Sequence, residues 1–109
     1  MSLPDSHLHV LLVLAEGDAH GYRVMHAVDT MTAGAVHLRP GVLYAALGRL
    51  TDAGLIVETD DRPAVELDDQ RRRYYRITNS GRQALGAEID RLAQLVRHAN
   101  TINPTWGCP

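Results

Sequence analysis

Five arginines, Arg71, Arg72, Arg73, Arg76 and Arg82, fall within twelve residues, and Arg39 and Arg49 bracket a short apolar segment earlier in the chain. Guanidinium groups grouped in this way bind phosphate oxygens through charge-assisted hydrogen bonds and can reach base edges. All eleven basic residues are arginine and none is lysine, yet the net charge is -2. The cluster is therefore a local patch with an oriented field. A polycation that coats nucleic acid without regard to sequence is excluded. Asp60, Asp61, Asp68 and Asp69 lie beside the cluster and offer it a blander use, as partners in a solvated hairpin face.

The other reactive residue types carry less. His7 and His9 are two apart and point to different sides of a helix. His20 and His26, six apart, match no better. No Cys-rich or His-Glu-x-x-His set accompanies them, so neither a metal nor a cofactor is expected. The bland reading is exposed or capping histidines, with His20 also a candidate phosphate donor. The absence of lysine removes a phosphate-loop lysine, and there is no nucleophile elbow or matched carboxylate pair. An enzyme is not expected. Cys108 is the single cysteine, which excludes an internal disulfide, and no basic neighbour activates it. Trp106, close to it, could dock on a dimer surface or have no fixed place. Tyr75 should share a buried strand face with Ile77. Tyr44 and Tyr74 are the better candidates for contacts through their hydroxyls.

The elements that must position these residues follow from hydrophobic period. Leu8, Leu11, Leu12 and Ala15 predict a helix from about Ser6 to Glu16, capped by Asp5 or Ser6 and ended by a Gly17-Asp18 turn. Val24, Met25, Val28 and Met31 predict a second helix from about His20 to Met31. A third starts at Pro40, buries Leu43, Leu47 and Leu50, and stops at Gly54. The period then changes. Leu55–Thr59 reads as a strand, the stretch from Arg62 to Gln70 as an exposed loop, and Arg72–Thr78 as a second strand. The two strands make a hairpin. A last helix, capped by Thr78, runs from about Asn79 to Asn100. Leu85, Ile89, Leu92 and Val96, with Leu95 beside them, form an a/d seam that needs something to bury against.

This order predicts a mainly α, α+β protein: a winged helix-turn-helix with a long C-terminal helix. The expected divisions are a DNA-binding domain over 1–78, a dimerisation helix over 79–100 and a tail over 101–109. In this layout the third helix enters the major groove and the hairpin wing follows the backbone or minor groove. The face of that helix opposite its leucines holds Gly41, Ala45, Gly48 and Asp52, with Tyr44 and Arg49 on its flanks. The backbone could thus come close to a groove, while few side chains can hydrogen-bond base edges. Direct readout is expected from Tyr44 and Arg49 and from the helix start at Gly41. Most affinity should come from phosphate contacts by the arginines, Arg39 included.

His20-Gly21-Tyr22, then Pro40-Gly41-Val42-Leu43-Tyr44 with Leu47 and Arg49-Leu50, then Gly54-Leu55-Ile56, then Arg72–Thr78 and Gly81 together resemble the PadR family of bacterial transcriptional regulators. The resemblance spans about Leu8 to Leu95 and is similar to the short subfamily, which ends in one helix after the wing. It implies a homodimer joined through that helix and bound to a pseudo-palindromic operator, with repression relieved by a small-molecule effector. It also implies DNA contacts near the start of the third helix, at Tyr44 and Arg49, and on the wing arginines. Val42 stands where the family often has Ser or Thr, and Gly48 where a basic residue is common. Leu92 stands where some drug-binding members carry an aromatic residue that stacks on planar ligands.

Length and composition agree with this reading. At 109 residues, 45% hydrophobic and 22% charged, the chain can fold as one small domain. It has no Phe, so Leu, Val, Ile, Met and Ala must fill its core. No apolar run nears the ~18 residues of a membrane span. Met1-Ser2-Leu3-Pro4-Asp5 lacks the features of a signal peptide, so a cytoplasmic location is expected. The alternative of a different class is a winged-helix module that binds a protein or a small ligand but not DNA. The acidic wing loop, the net charge of -2 and the bare outward face of the third helix favour it.

Overall fold

Leu11, Leu14, Leu43, Leu47, Leu50, Ile56, Val10, Val24 and Val28 are sealed from solvent and form the centre of one core. The computed structural model that places them describes residues 3–59 and 73–103. In chain order its elements are α1 (Asp5–Glu16), β1 (Ala19–His20), α2 (Gly21–Met31), α3 (Pro40–Asp52), β2 (Ile56–Thr59), β3 (Tyr74–Ile77) and α4 (Asn79–Ile102). The protein is mostly helical with a small antiparallel sheet. α1 lies at the middle and touches α2, α3, α4 and β3. Its N-cap is Pro4, without a side-chain cap, and Asp5 sits inside the first turn, where its charge favours the helix dipole.

The sheet has three strands rather than the two of the expected hairpin. Their order is β1-β3-β2, and both pairings are antiparallel. β1 is two residues long, too short for a period-two pattern to show in the sequence. Ala19 pairs with Tyr75 and His20 with Tyr74, while Ile56 to Thr59 run opposite Ile77 to Tyr74. Ala19, Ile56, Tyr75 and Ile77 join the core. Val57 and Arg76, paired across the sheet, face outward.

α3 ends in a Schellman turn. Leu55 N–H donates to Leu50 O and Gly54 N–H to Thr51 O, each at 3.0 Å. Gly54 takes φ +77°, the left-handed backbone that glycine adopts without strain. The start of α4 is laid against this turn. Thr78 caps α4 by accepting from Gly81 N–H at 3.0 Å, and its hydroxyl donates to Gly54 O at 2.7 Å. Thr78 N–H also donates to Leu55 O. The approach is so close that a Cβ on Gly81 would stand 2.1 Å from Leu55 O.

α4 is about 36 Å long at 1.5 Å per residue, two residues longer than its sequence pattern implied. Only its first turns join the protomer core, through Gly81, Leu85 and Glu88. Leu85, expected in the dimer seam, is 6% exposed and belongs to the protomer's own core. The apolar row beyond it is uncovered: Ile89, Leu95, Val96 and Ile102 are exposed and Leu92 is half-buried. At the junction, the buried Glu88 carboxylate receives both Arg91 Nε (2.8 Å) and Nη2 (2.9 Å), together with Leu3 N–H (3.2 Å). Among the described residues, no helix is long and apolar enough to cross a membrane.

Candidate nucleic-acid interface

α3 buries Leu43, Ala46, Leu47 and Leu50, which turns the remaining positions outward. Gly41, Val42, Tyr44, Ala45, Gly48, Arg49 and Asp52 are all exposed. A Cβ added at Gly41 or at Gly48 meets no described atom within 4 Å. Neither glycine is therefore required by the protomer's packing. Arg39 is the N-cap residue of α3, with no side-chain cap bond, so its guanidinium stands at the helix's positive end.

Tyr44 is held on one flank of α3. A Cβ on Gly21 would stand 3.0 Å from its hydroxyl and 3.2 Å from its ring carbons, so the phenol lies across the first residue of α2. This accounts for the glycine of His20-Gly21-Tyr22, a role the sequence did not reveal. A groove of about 320 Å³ runs from Tyr44, Gly48 and Asp52 to Glu58, Arg73 and Tyr75 on the wing. Tyr75 faces this groove from the core side. Burial pushes its pKa up, and the Glu58 charge adds to the shift, while Arg73 opposes it.

Arg49 lies on the other flank, towards α1. Burial and then the Arg49 charge lower the pKa of His7 in the first turn of that helix. The place of His7 beside Arg49 is a tertiary juxtaposition that residue spacing does not show.

The wing residues divide. Arg73 is exposed and only loosely paired with Glu58, at 3.4 Å. Arg76 forms a bidentate pair with Asp18, at 2.7 and 3.1 Å, across the outer face of the sheet. This pair competes with the phosphate contact expected of Arg76. Tyr74, expected to offer its hydroxyl outward, is instead 5% exposed. The reason is β1: it places His20 opposite Tyr74, and the two rings meet edge to face at 5.2 Å. His20 is itself buried. Its Nδ1 accepts from Arg23 N–H at 3.2 Å and so caps α2. That is the capping role, rather than the phosphate donor at the surface. Arg71, Arg72, the acidic wing loop, Trp106 and Cys108 lie outside the described residues. Among the described residues no group of three or more His, Cys, Asp or Glu side chains could hold a metal ion.

The model of the transcriptional regulator PadR-like family matches residues 10–87, from α1 into α4. Transcriptional regulator Rv3488 of Mycobacterium tuberculosis is 34% identical over 93 residues, which cover 85% of this chain and 70% of that one. An uncharacterised 37.1 kDa transposon protein of Streptomyces fradiae is 35% identical over 95 residues, 87% of this chain but only a quarter of that protein. Among solved structures, a PadR family transcription regulator of Clostridium difficile superposes with a TM-score of 0.72 at 22% identity, covering 91% of this chain and 98% of the other. Bacillus subtilis PadR, solved in complex with operator DNA, superposes with a TM-score of 0.62 at 23% identity, over 76% of this chain and 45% of the other. With its winged-helix body, its projecting last helix and the match across most of its length, the chain belongs to the PadR-like family of transcriptional regulators.

Proposed function

We propose that this regulator, which is not an enzyme, is a cytoplasmic homodimeric repressor. It binds a pseudo-palindromic operator in double-stranded DNA and is released by a small-molecule effector. The observation that carries the DNA reading is the outward face of α3: Gly41, Ala45 and Gly48 leave its backbone open to close approach, and Arg39 and Arg49 stand at its two ends. Phosphate contacts from Arg39, Arg49 and Arg73, with Arg71 and Arg72, would supply most of the affinity. Tyr44 and Arg49 are the side chains offered to base edges. The uncovered row of Ile89, Leu92, Leu95 and Val96 supports dimerisation through the projecting half of α4. A dimer sets its two recognition helices about one DNA turn apart, roughly 34 Å. A modest rotation at α4 then spoils the fit, which is how an effector would act.

The test is fluorescence anisotropy with DNA from upstream of the protein's own gene, beside a scrambled duplex of equal length, at two salt concentrations. Preference for the native duplex and a log–log salt slope near -0.9 per phosphate contact are expected. Equal, salt-insensitive binding to both would overturn the reading. The pairing of Arg76 with Asp18 and of Arg73 with Glu58 favours a second reading, a module that binds a protein or a small ligand and no DNA. It predicts no binding to either duplex even at low salt.

A further inference from the structure

The first turn of α3 offers a groove no polar side chain. Pro40 and Gly41 carry no polar side-chain group, and Leu43 is sealed in the core. Val42 is the remaining side chain of that turn, and it is 49% exposed. Its branched methyls have no core to join, since the buried stripe of α3 passes through Leu43, Ala46, Leu47 and Leu50. A β-branched side chain on a helix surface also gains nothing from helix propensity. Val42, Ala45 and Arg49 follow at i, i+3 and i+7, so they share one side of the helix. Tyr44 lies on the opposite flank, against Gly21.

In the major groove one base-pair edge carries an apolar group, the C5 methyl of thymine. An exposed aliphatic side chain at the leading turn of a groove-entering helix matches that group and no other. We infer that Val42 is a specificity-determining residue that reads thymine: its methyls pack on a C5 methyl in each half-site, and Ala45 extends the apolar row towards Arg49. The inference rests on the DNA-binding reading and adds the chemistry by which α3 discriminates. Readout at this turn is by shape and methyl contact rather than by hydrogen bonds.

The test starts from a duplex selected out of a random-sequence library by the full-length protein at low salt. Each thymine is then replaced by deoxyuridine, which deletes the C5 methyl and leaves every hydrogen-bonding group in place. At one thymine per half-site the replacement should weaken wild-type binding about fourfold, the worth of one buried methyl-sized contact. Replacement in both half-sites should weaken it about fifteenfold. Val42→Ser, at an exposed position and expected to keep the wild-type circular dichroism, should bind the thymine and deoxyuridine duplexes equally, and Val42→Ala should discriminate less than the wild type. If no replacement weakens the wild type, or if both variants still discriminate fully, the inference is wrong. If the library yields no enriched duplex, the DNA reading itself fails and the inference falls with it.

Discussion

Gly48→Ala should strengthen the free protein and weaken its complex with DNA. Gly48 lies inside α3 on the outward strip, and an added Cβ meets no described atom within 4 Å. Glycine inside a helix costs roughly 0.5–1 kcal/mol relative to alanine, because the unfolded chain loses more freedom on folding. Nothing in the described protomer offsets that cost. The substitution should therefore raise stability by about 0.5–1 kcal/mol. In a domain of this size 1 kcal/mol moves Tm by about 4–8 °C. In the proposed complex the same methyl falls between the helix backbone and the groove. One extra methyl forced into a close contact costs roughly 1–3 kcal/mol, a loss of about 5- to 150-fold in Kd.

Two assays on one variant read the two effects: thermal unfolding at fixed protein concentration, and anisotropy with the selected duplex. Opposite signs are the expected result. A raised Tm with unchanged affinity would show that the backbone of α3 does not approach DNA at Gly48, and would refute the groove geometry. A lowered Tm would refute the open space around Gly48.

Gly81→Ala should destabilise the fold by about 1–3 kcal/mol or more, read as a lower urea midpoint, since the new Cβ would stand 2.1 Å from Leu55 O. Leu95→Glu puts a charge in the uncovered row of α4. Sedimentation should give a monomer with wild-type helical content, and a dimer that persists would move the interface elsewhere. The hydrogen bonds from Arg91 hold the Glu88 carboxyl below the usual carboxylate range. The unfolded chain then binds this proton at higher pH than the folded one. The stability this carboxylate contributes is present above the ordinary carboxylate pKa and is lost as pH falls through the depressed value. Glu88→Gln should be less stable at neutral pH and should show a shallower acid decline in urea midpoint.

The four helices were legible because each buries one stripe and the stripe has a period of 3.6. The residues at their ends were legible too: Pro40 opens α3, Gly54 closes it and Thr78 caps α4. What could not be read was contact between elements distant in sequence. β1 spans two residues and exists because β3 has a free edge. Once it is placed, Tyr74 is covered and His20 becomes a buried cap, so two expected DNA contacts leave the surface together. Arg76 is read as free only until Asp18 is brought beside it by the same pairing. The apolar row of α4 was legible by its period, but its boundary was not. A repeat of apolar residues does not say where a helix leaves its own body, and here it leaves between Leu85 and Ile89.

That boundary bears on how a signal at the dimer would reach DNA. The base of α4 and the end of α3 meet directly at one short connection, and α1 packs against both helices. Thr78 caps α4 and at the same time donates to Gly54 O in the turn that ends α3, while its N–H donates to Leu55 O. Gly81 is packed against that turn with no room for a methyl. A rotation imposed on α4 therefore cannot be absorbed at this joint without breaking a helix cap, which costs about 1 kcal/mol. In the proposed dimer that cost favours passing the rotation to α3 as a tilt. In the proposed dimer, an effector that changes the crossing of the two α4 helices changes the spacing of the two α3 helices directly. No refolding within the protomer is needed.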